Sequence, residues 1–354
     1  MPRIVAVDVA FPAHYYSQEE LARALATANG SLGSFEEHKV SRFFSSVAVK
    51  GRHLALPLDA YRNLQGFGAR NAAWLACALP LGERVTSGVL GASRLPANDI
   101  RLFASSTVTG LAVPSVESRL MNRLGFSSDC RRLPLFGLGC AAGAAGIARV
   151  SDYLTGHPPD AALLLCVELC SLTFQPDDIS AANLVACALF GDGAACVLLV
   201  GDEHPLAASA KPRVVDTRSV LFPSTERTMG WDMVDTGFQI VLDRHVPELA
   251  RTALADHIRD FLAAHGLRTR DIAAWIAHPG GPAVIDSMER GLELPSGALD
   301  ASRESLARSG NLSSASVLDV LRDALERRQL APGSHGLLLA MGPGFSAELV
   351  LLRW

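Results

Sequence analysis

Leu133-Pro-Leu-Phe-Gly-Leu-Gly-Cys140-Ala-Ala-Gly-Ala-Ala-Gly-Ile-Ala148 is an apolar, strand-like run that ends in glycine, then a cysteine, then a segment of small residues. Small residues at this density read as a tightly packed helix, so Cys140 stands at a strand-to-helix elbow. A sulfur there lies beside the unpaired N–H groups of a first helical turn and the positive end of its dipole. That placement predicts a lowered thiol pKa. The same amides are free to receive an oxyanion. A cysteine in apolar surroundings is otherwise an inert core thiol, so the elbow needs partners before it means chemistry.

Outward from the elbow, short apolar runs alternate with helical stretches. Ile4–Ala10 precedes a helix from Ser17, and Leu102–Ser106 precedes one from Ser115. Ala161–Glu168 follows the Cys140 segment, and Ala195–Val200 closes the first half. Such alternation predicts parallel strands covered by helices on both faces. Gly201-Asp-Glu-His-Pro205 is a polar junction that divides the chain into halves at 1–205 and 206–354. The second half repeats the grammar. A strand is expected near Pro212–Arg218, a hairpin through Trp231–Leu242, a helix over Val246–His265 and a strand over Ile272–Ala277. A helix over Ala315–Arg327 and strands at Gly336–Met341 and Ala347–Arg353 complete it. The repetition indicates an internally duplicated α/β fold.

With 354 residues the chain exceeds the size at which one core keeps growing. Apolar residues make up 49% and charged residues 19%, a surplus that a large buried sheet or a subunit interface would use. A net charge of −4 offers nothing to nucleic acid or an anionic membrane. Seven cysteines without CxxC pairs or a histidine grid indicate neither a disulfide framework nor a metal site. The longest apolar stretch, Leu184 to Val200, is broken by Gly191-Asp-Gly193, so no transmembrane segment is expected. Asp8 in the opening apolar run argues against a signal peptide, and a cytoplasmic location is expected.

Two further positions give the elbow its partners. His278 follows an apolar strand directly, in Trp275-Ile-Ala-His278-Pro-Gly-Gly281, so its imidazole projects from a strand end. Asn311 lies in Ser309-Gly-Asn311-Leu-Ser-Ser-Ala315, a glycine turn leading into a helix. Alone, each reads as structural; the order Cys, then His, then Asn across two halves carries the weight.

At this point the chain resembles the thiolase-fold condensing enzymes and, within them, the type III polyketide synthases, the chalcone-synthase-like family. The matching stretches run through nearly the whole chain. They are the Gly-Cys140 elbow, Ala188-Leu-Phe190-Gly-Asp-Gly-Ala-Ala195, Ile276-Ala-His278-Pro-Gly-Gly281, Gly310-Asn311-Leu-Ser-Ser-Ala315 and Met341-Gly-Pro-Gly-Phe345. The resemblance implies a five-layered α-β-α-β-α fold and a homodimer. It implies that Cys140 takes an acyl group from coenzyme A as a thioester, and that His278 pairs with the thiolate. His278 and Asn311 would then donate to the enolate formed when malonyl-CoA loses carbon dioxide. No metal or redox cofactor is implied; acyl-CoA and malonyl-CoA are the substrates.

Phe190 matches the family's gatekeeper ring between the CoA tunnel and the cavity. A second gatekeeper aligns with Ile240, so that role is either lost or taken by Phe238. Lys39 and Arg42 fall where the family binds CoA phosphates, although Ser46 replaces a further basic residue. Thr109, Val113, Cys170, Thr173, Trp231 and Ser313 match cavity-lining positions, Val113 at the point where plant members reach the neighbouring subunit. Thr109 and Cys170 resemble bacterial alkylresorcinol and alkylpyrone synthases that open a tunnel for a long acyl tail. Trp231 stands where plant members carry glycine and favours ring closure to a resorcinol. A short-starter or malonyl-only synthase making a small phenolic is the first alternative. A ketoacyl synthase III acting with acyl carrier protein is the second, and a catalytically silent homologue the third.

Overall fold

A computed structural model describes residues 1–27, 37–327 and 330–354. Its strands are β1 (Arg3–Ala10), β2 (His14–Ser17), β3 (Gly51–Leu54), β4 (Ile100–Ser106), β5 (Arg131–Leu135), β6 (Ala161–Leu169) and β7 (Asp192–Val200). They continue with β8 (Arg213–Leu221), β9 (Met229–Val234), β10 (Gly237–Leu242), β11 (Ile272–Ala277), β12 (His335–Gly342) and β13 (Ser346–Arg353). Nine of them form one sheet in the order β11-β12-β13-β8-β1-β7-β6-β4-β5. β9 pairs with β10 as the expected hairpin, and β2 with β3.

The sheet is mixed rather than parallel throughout. β4 runs parallel to β5 and β6, and β11 to β12, whereas β7 and β13 are antiparallel to both neighbours. Its two halves join at a single register pair, Arg3 with Arg213.

Alternation along the buried strands sets the layers. On β6, Leu163, Leu165 and Val167 pack with Trp74, Val85 and Val89 of the long helix Gly66–Ser93. Leu164 and Cys166 point the other way, onto Ala144 and Ile147 of the helix Ala142–Gly156. On β12, Leu338 and Ala340 meet Val317, Leu318 and Leu321 of the helix Ser316–Arg327 in that same inner cluster. Leu337 and Leu339 face outward onto Leu254, Ile258 and Phe261. The molecule is therefore helix, sheet, paired central helices, sheet, helix: the five-layered thiolase-like arrangement. Each fully buried leucine contributes about 1.5–3 kcal/mol, so strands covered on both faces are what the 49% apolar content supports.

One helix differs from expectation. The segment expected as one helix from Val246 to His265 is two, Val246–Arg251 and Ala253–Ala264, broken at Thr252 (φ −107°, ψ −87°). The helix Gly66–Ser93 passes through Pro80, which costs a backbone hydrogen bond, and its buried face holds it in place. No helix among the described residues is long and apolar enough to cross a membrane.

Candidate active site

β5 ends at Leu135, and a short turn, Gly139–Ala141, leads into the helix Ala142–Gly156. Gly139 has φ +51°, and a Cβ there would fall 2.5 Å from Pro343 Cδ. Only glycine takes both the left-handed backbone and that proximity at no cost. From the other side the end of β12 presses on the elbow: a Cβ on Gly342 would lie 2.4 Å from the Leu138 carbonyl oxygen. The Gly342-Pro-Gly turn thus walls the elbow. Cys140 is 6% exposed, and its thiol donates to Ser313 Oγ at 3.6 Å.

Asn311 is braced by the segment Leu189-Phe190-Gly191. Its N–H donates to the Leu189 carbonyl at 2.8 Å, and its own carbonyl accepts from the Gly191 N–H at 2.9 Å. The side chain is aimed through its oxygen, since Oδ1 accepts from the Ser313 N–H at 2.8 Å and Ser316 Oγ at 3.4 Å. The amide nitrogen has no hydrogen-bond partner among the described residues, so it is available as a donor.

His278 follows β11 directly. Its N–H donates to the Leu339 carbonyl at 2.8 Å, extending the β11–β12 pairing by one residue, and its carbonyl accepts from Gly280 at 2.9 Å. The ring is buried, and Nδ1 has no partner. The loop after it reaches the same brace, where a Cβ on Gly281 would lie 3.6 Å from Leu189 Cδ2. The histidine loop and Asn311 from the second half thus converge on Leu189–Gly191, and Cys140 joins them through Ser313.

The electrostatics differ from the expectation at the elbow. Burial pushes the Cys140 thiol up to about 12, against the pull of the Ser313 hydrogen bond, and the nearby Glu168 pushes it further the same way. Burial pushes the His278 imidazole down to about 3. At the sulfur, desolvation outweighs the hydrogen bonds, and burial favours the neutral form of both groups. Glu168 itself escaped the sequence reading; its only signal is a lone carboxylate inside the apolar run of β6. It accepts from Ser314 Oγ at 2.5 Å, Thr109 Oγ1 at 3.0 Å and the Val108 N–H at 3.1 Å. Burial raises its carboxyl to about 7. The group ties Thr109 in the first half to the Asn311 loop in the second.

Two cavities meet at Cys170, Phe190, Trp231 and Ile240, which line both. The inner one, about 30 Å³, is closed by Cys140, Thr109, Ser313, Met229 and Pro343. The outer one, about 670 Å³, adds Thr173, Cys187 and the cations Arg52, Arg62 and Arg70. Phe190 and Ile240 therefore stand at the boundary between the two. Phe238 is buried and lines neither cavity; its ring packs edge-on against Trp231 at 6.0 Å and Phe67 at 5.5 Å. Val113 is 96% exposed, outside both cavities. Arg42 is exposed on the helix Glu37–Ser46 and lines neither, and the side chain of Lys39 lies outside the described residues. Arg52, Arg62 and Arg70 are the cations that sequence reasoning missed. They are scattered over a strand, the short turn Leu58–Asn63 and the helix Gly66–Ser93, with no local pattern to mark them.

Known proteins extend this geometry over the whole chain. Residues 2–203 match the N-terminal domain of chalcone and stilbene synthases, and residues 213–354 match the C-terminal domain. A 1,3,6,8-tetrahydroxynaphthalene synthase from Streptomyces peucetius subsp. caesius is 50% identical over 351 residues, covering 99% of this chain and 93% of that protein. A phloroglucinol synthase from Pseudomonas fluorescens is 30% identical, covering 98% and 97%. The crystal structure of the tetrahydroxynaphthalene synthase of Streptomyces coelicolor A3(2), a bacterial type III polyketide synthase, superimposes with a TM-score of 0.93 at 32% identity, covering 99% of each chain. This chain belongs to the chalcone and stilbene synthase family and is an acyltransferase, a type III polyketide synthase.

Proposed function

We propose that the chain joins malonyl-CoA units into a small phenolic of the tetrahydroxynaphthalene class, with a short or malonyl starter. The observation that carries this is the pair of bulky side chains, Trp231 and Ile240, that stand between the Cys140 pocket and the outer cavity. They narrow the passage beside the sulfur, and a growing chain finds its room in the outer cavity of about 670 Å³. The 50% identity to a tetrahydroxynaphthalene synthase supports the same reading. The long-chain alkylresorcinol reading rests on the small residues Thr109 and Cys170, and these face Trp231 across the cavity wall.

In this reading Cys140 Sγ attacks the acyl carbonyl, the carbon–sulfur bond to CoA breaks, and the thiol proton leaves on the CoA sulfur. Nδ1 of His278 is buried without a partner among the described residues, so in this reading the neutral ring carries its proton on Nε2 and serves as a donor. Decarboxylation of malonyl-CoA releases carbon dioxide and leaves an enolate. Its oxygen accepts from His278 Nε2 and the Asn311 amide, and its carbon attacks the Cys140 thioester. Losing one such donor costs about 2.7–4 kcal/mol of barrier. Arg62 and Arg70, in the outer cavity, face the phosphates of CoA. The exposed Val113, with Leu111 and Phe136, offers an apolar surface to a second copy of the chain.

Incubation with malonyl-CoA alone, and with added acyl-CoAs from C2 to C20, tests the proposal. An aromatic product from malonyl-CoA alone is expected; product formed only when a long acyl-CoA is added overturns it. Trp231→Gly opens the inner cavity and is expected to raise turnover of medium-chain acyl-CoAs about tenfold, read as product by mass spectrometry.

A further inference from the structure

We propose that Arg52 is a positioning residue that holds the Phe190 backbone and the Asn311 carboxamide as one unit, so that enolate formation depends on it far more than acyl loading does. The inference rests on the roles given above to Asn311 and malonyl-CoA.

Arg52 lies on β3, 3% exposed, in the wall of the outer cavity. Its Nη1 donates to the Phe190 carbonyl at 2.6 Å. Among the described residues no carboxylate stands within ion-pair distance of it, and Nε is buried without a partner. The guanidinium sits 5.9 Å from the Phe44 ring centroid, and Asp192, Cys170 and Cys187 add to the field around it. Burial lowers its pKa to about 10, so it remains charged at neutral pH. The aliphatic stem does a second job. A Cβ on Gly310 would fall 2.8 Å from Arg52 Cδ and 2.7 Å from the Leu189 carbonyl oxygen, so the stem packs against the residue just before Asn311. Head and stem of one side chain therefore touch both strands of the Phe190–Asn311 bridge. Cys140 is reached by neither contact. Arg52 acts through Asn311 and touches no reacting atom.

A double-mutant cycle on malonyl-CoA decarboxylation tests this. Arg52→Met, which keeps the stem and removes the donor, is expected to lower kcat for decarboxylation at least tenfold in the parent. In the Asn311→Ala background the further loss is expected to stay below threefold. Acyl loading of Cys140 from a short acyl-CoA, followed by intact-protein mass spectrometry, should change less than threefold. Equal fold-losses in both backgrounds, or an equal loss in loading and decarboxylation, would overturn the proposal. If Arg52→Met does not fold, Arg52→Lys carries the same cycle. It keeps charge and stem with a displaced donor, and a threefold to tenfold loss confined to the parent background is expected. Decarboxylation is scored without reference to the final product, so a wrong product assignment leaves this test intact. A parent rate unaffected by Asn311→Ala would instead refute the role given to Asn311.

Discussion

Two elbows face each other across the inner cavity, and they are built differently. In the first half, Gly139 at φ +51° turns the chain into Cys140 and the helix Ala142–Gly156. In the second, Ser313 at φ +49° turns it after Asn311 into the helix Ser316–Arg327. The backbones adopt the same left-handed turn, once with glycine and once with serine. A non-glycine residue there costs about 1–3 kcal/mol and persists only where its surroundings hold it. The Asn311 side chain supplies that hold by accepting the Ser313 N–H. In the proposed mechanism the relaxed elbow carries the group that forms and breaks bonds. The strained one spends its strain on fixing the group that must not move. Chemistry at the sulfur tolerates freedom, whereas an oxyanion donor is only as good as its orientation.

The largest effect expected from this contrast is on the strained side. Asn311→Ala removes both the donor and the brace on Ser313. It is expected to slow malonyl-CoA decarboxylation by two to three orders of magnitude, read as acetyl-CoA and carbon dioxide release. A rate within tenfold of the parent would break the distinction between the elbows. The relaxed side is sharpened by pH. With the thiol pushed up to about 12, the thiolate fraction grows about tenfold per unit between pH 7 and 10, so Cys140 alkylation by iodoacetamide should climb with that slope. A flat profile would mean a thiolate already formed at neutral pH.

Glu168 ties the loop after β4, through Thr109, to the second elbow, through Ser314, and its effect is smaller. Its folded carboxyl sits near 7, above the ordinary range of about 4.3 in an unfolded chain. The native state therefore holds an extra proton between those values, and the stabilisation this brings is complete below about pH 4 and lost as pH rises through 7. Glu168→Gln keeps the hydrogen-bonding shape without the titration. The stability advantage of the parent over the variant should shrink by a few degrees of melting temperature from pH 5 to pH 8. An advantage independent of pH would show the carboxyl to be ionised throughout. The smallest change is Ser313→Gly. Relief of backbone strain offsets the added chain entropy, so the melting midpoint is expected to stay within about 2 °C of the parent. A large fall would place the strain elsewhere.

The contrast between the elbows also marks what could be read in advance. The first announces itself, because Gly139 before Cys140 has a conformational reason to be glycine. His278 is legible for a related reason, since β11 ends in a run that leaves no doubt where the strand stops. The second elbow hides, because nothing about Ser313 as a residue type predicts a left-handed backbone. Glu168 and Arg52 hide further: their partners lie far away in sequence, and a buried charge inside a strand has no local pattern. The helix Gly66–Ser93 was obscured by Pro80 and its glycines, although Trp74, Ala78, Leu81, Val85 and Val89 do repeat at helical spacing. Trp231 and Ile240 were legible as positions, but the cavity wall they form depends on a hairpin laid against the helix Ala181–Leu189 and the turn before it, from the other half.

The place of β13 has one more consequence. Ser346–Arg353 lies between β12 and β8, in the interior of the nine-stranded sheet. It is the strand that joins β12, to which the His278 backbone is bonded, to β8 and so to the half of the sheet that carries Cys140. A substitution that loosens Leu349 or Leu351 should therefore shift the histidine relative to the sulfur while touching neither of them.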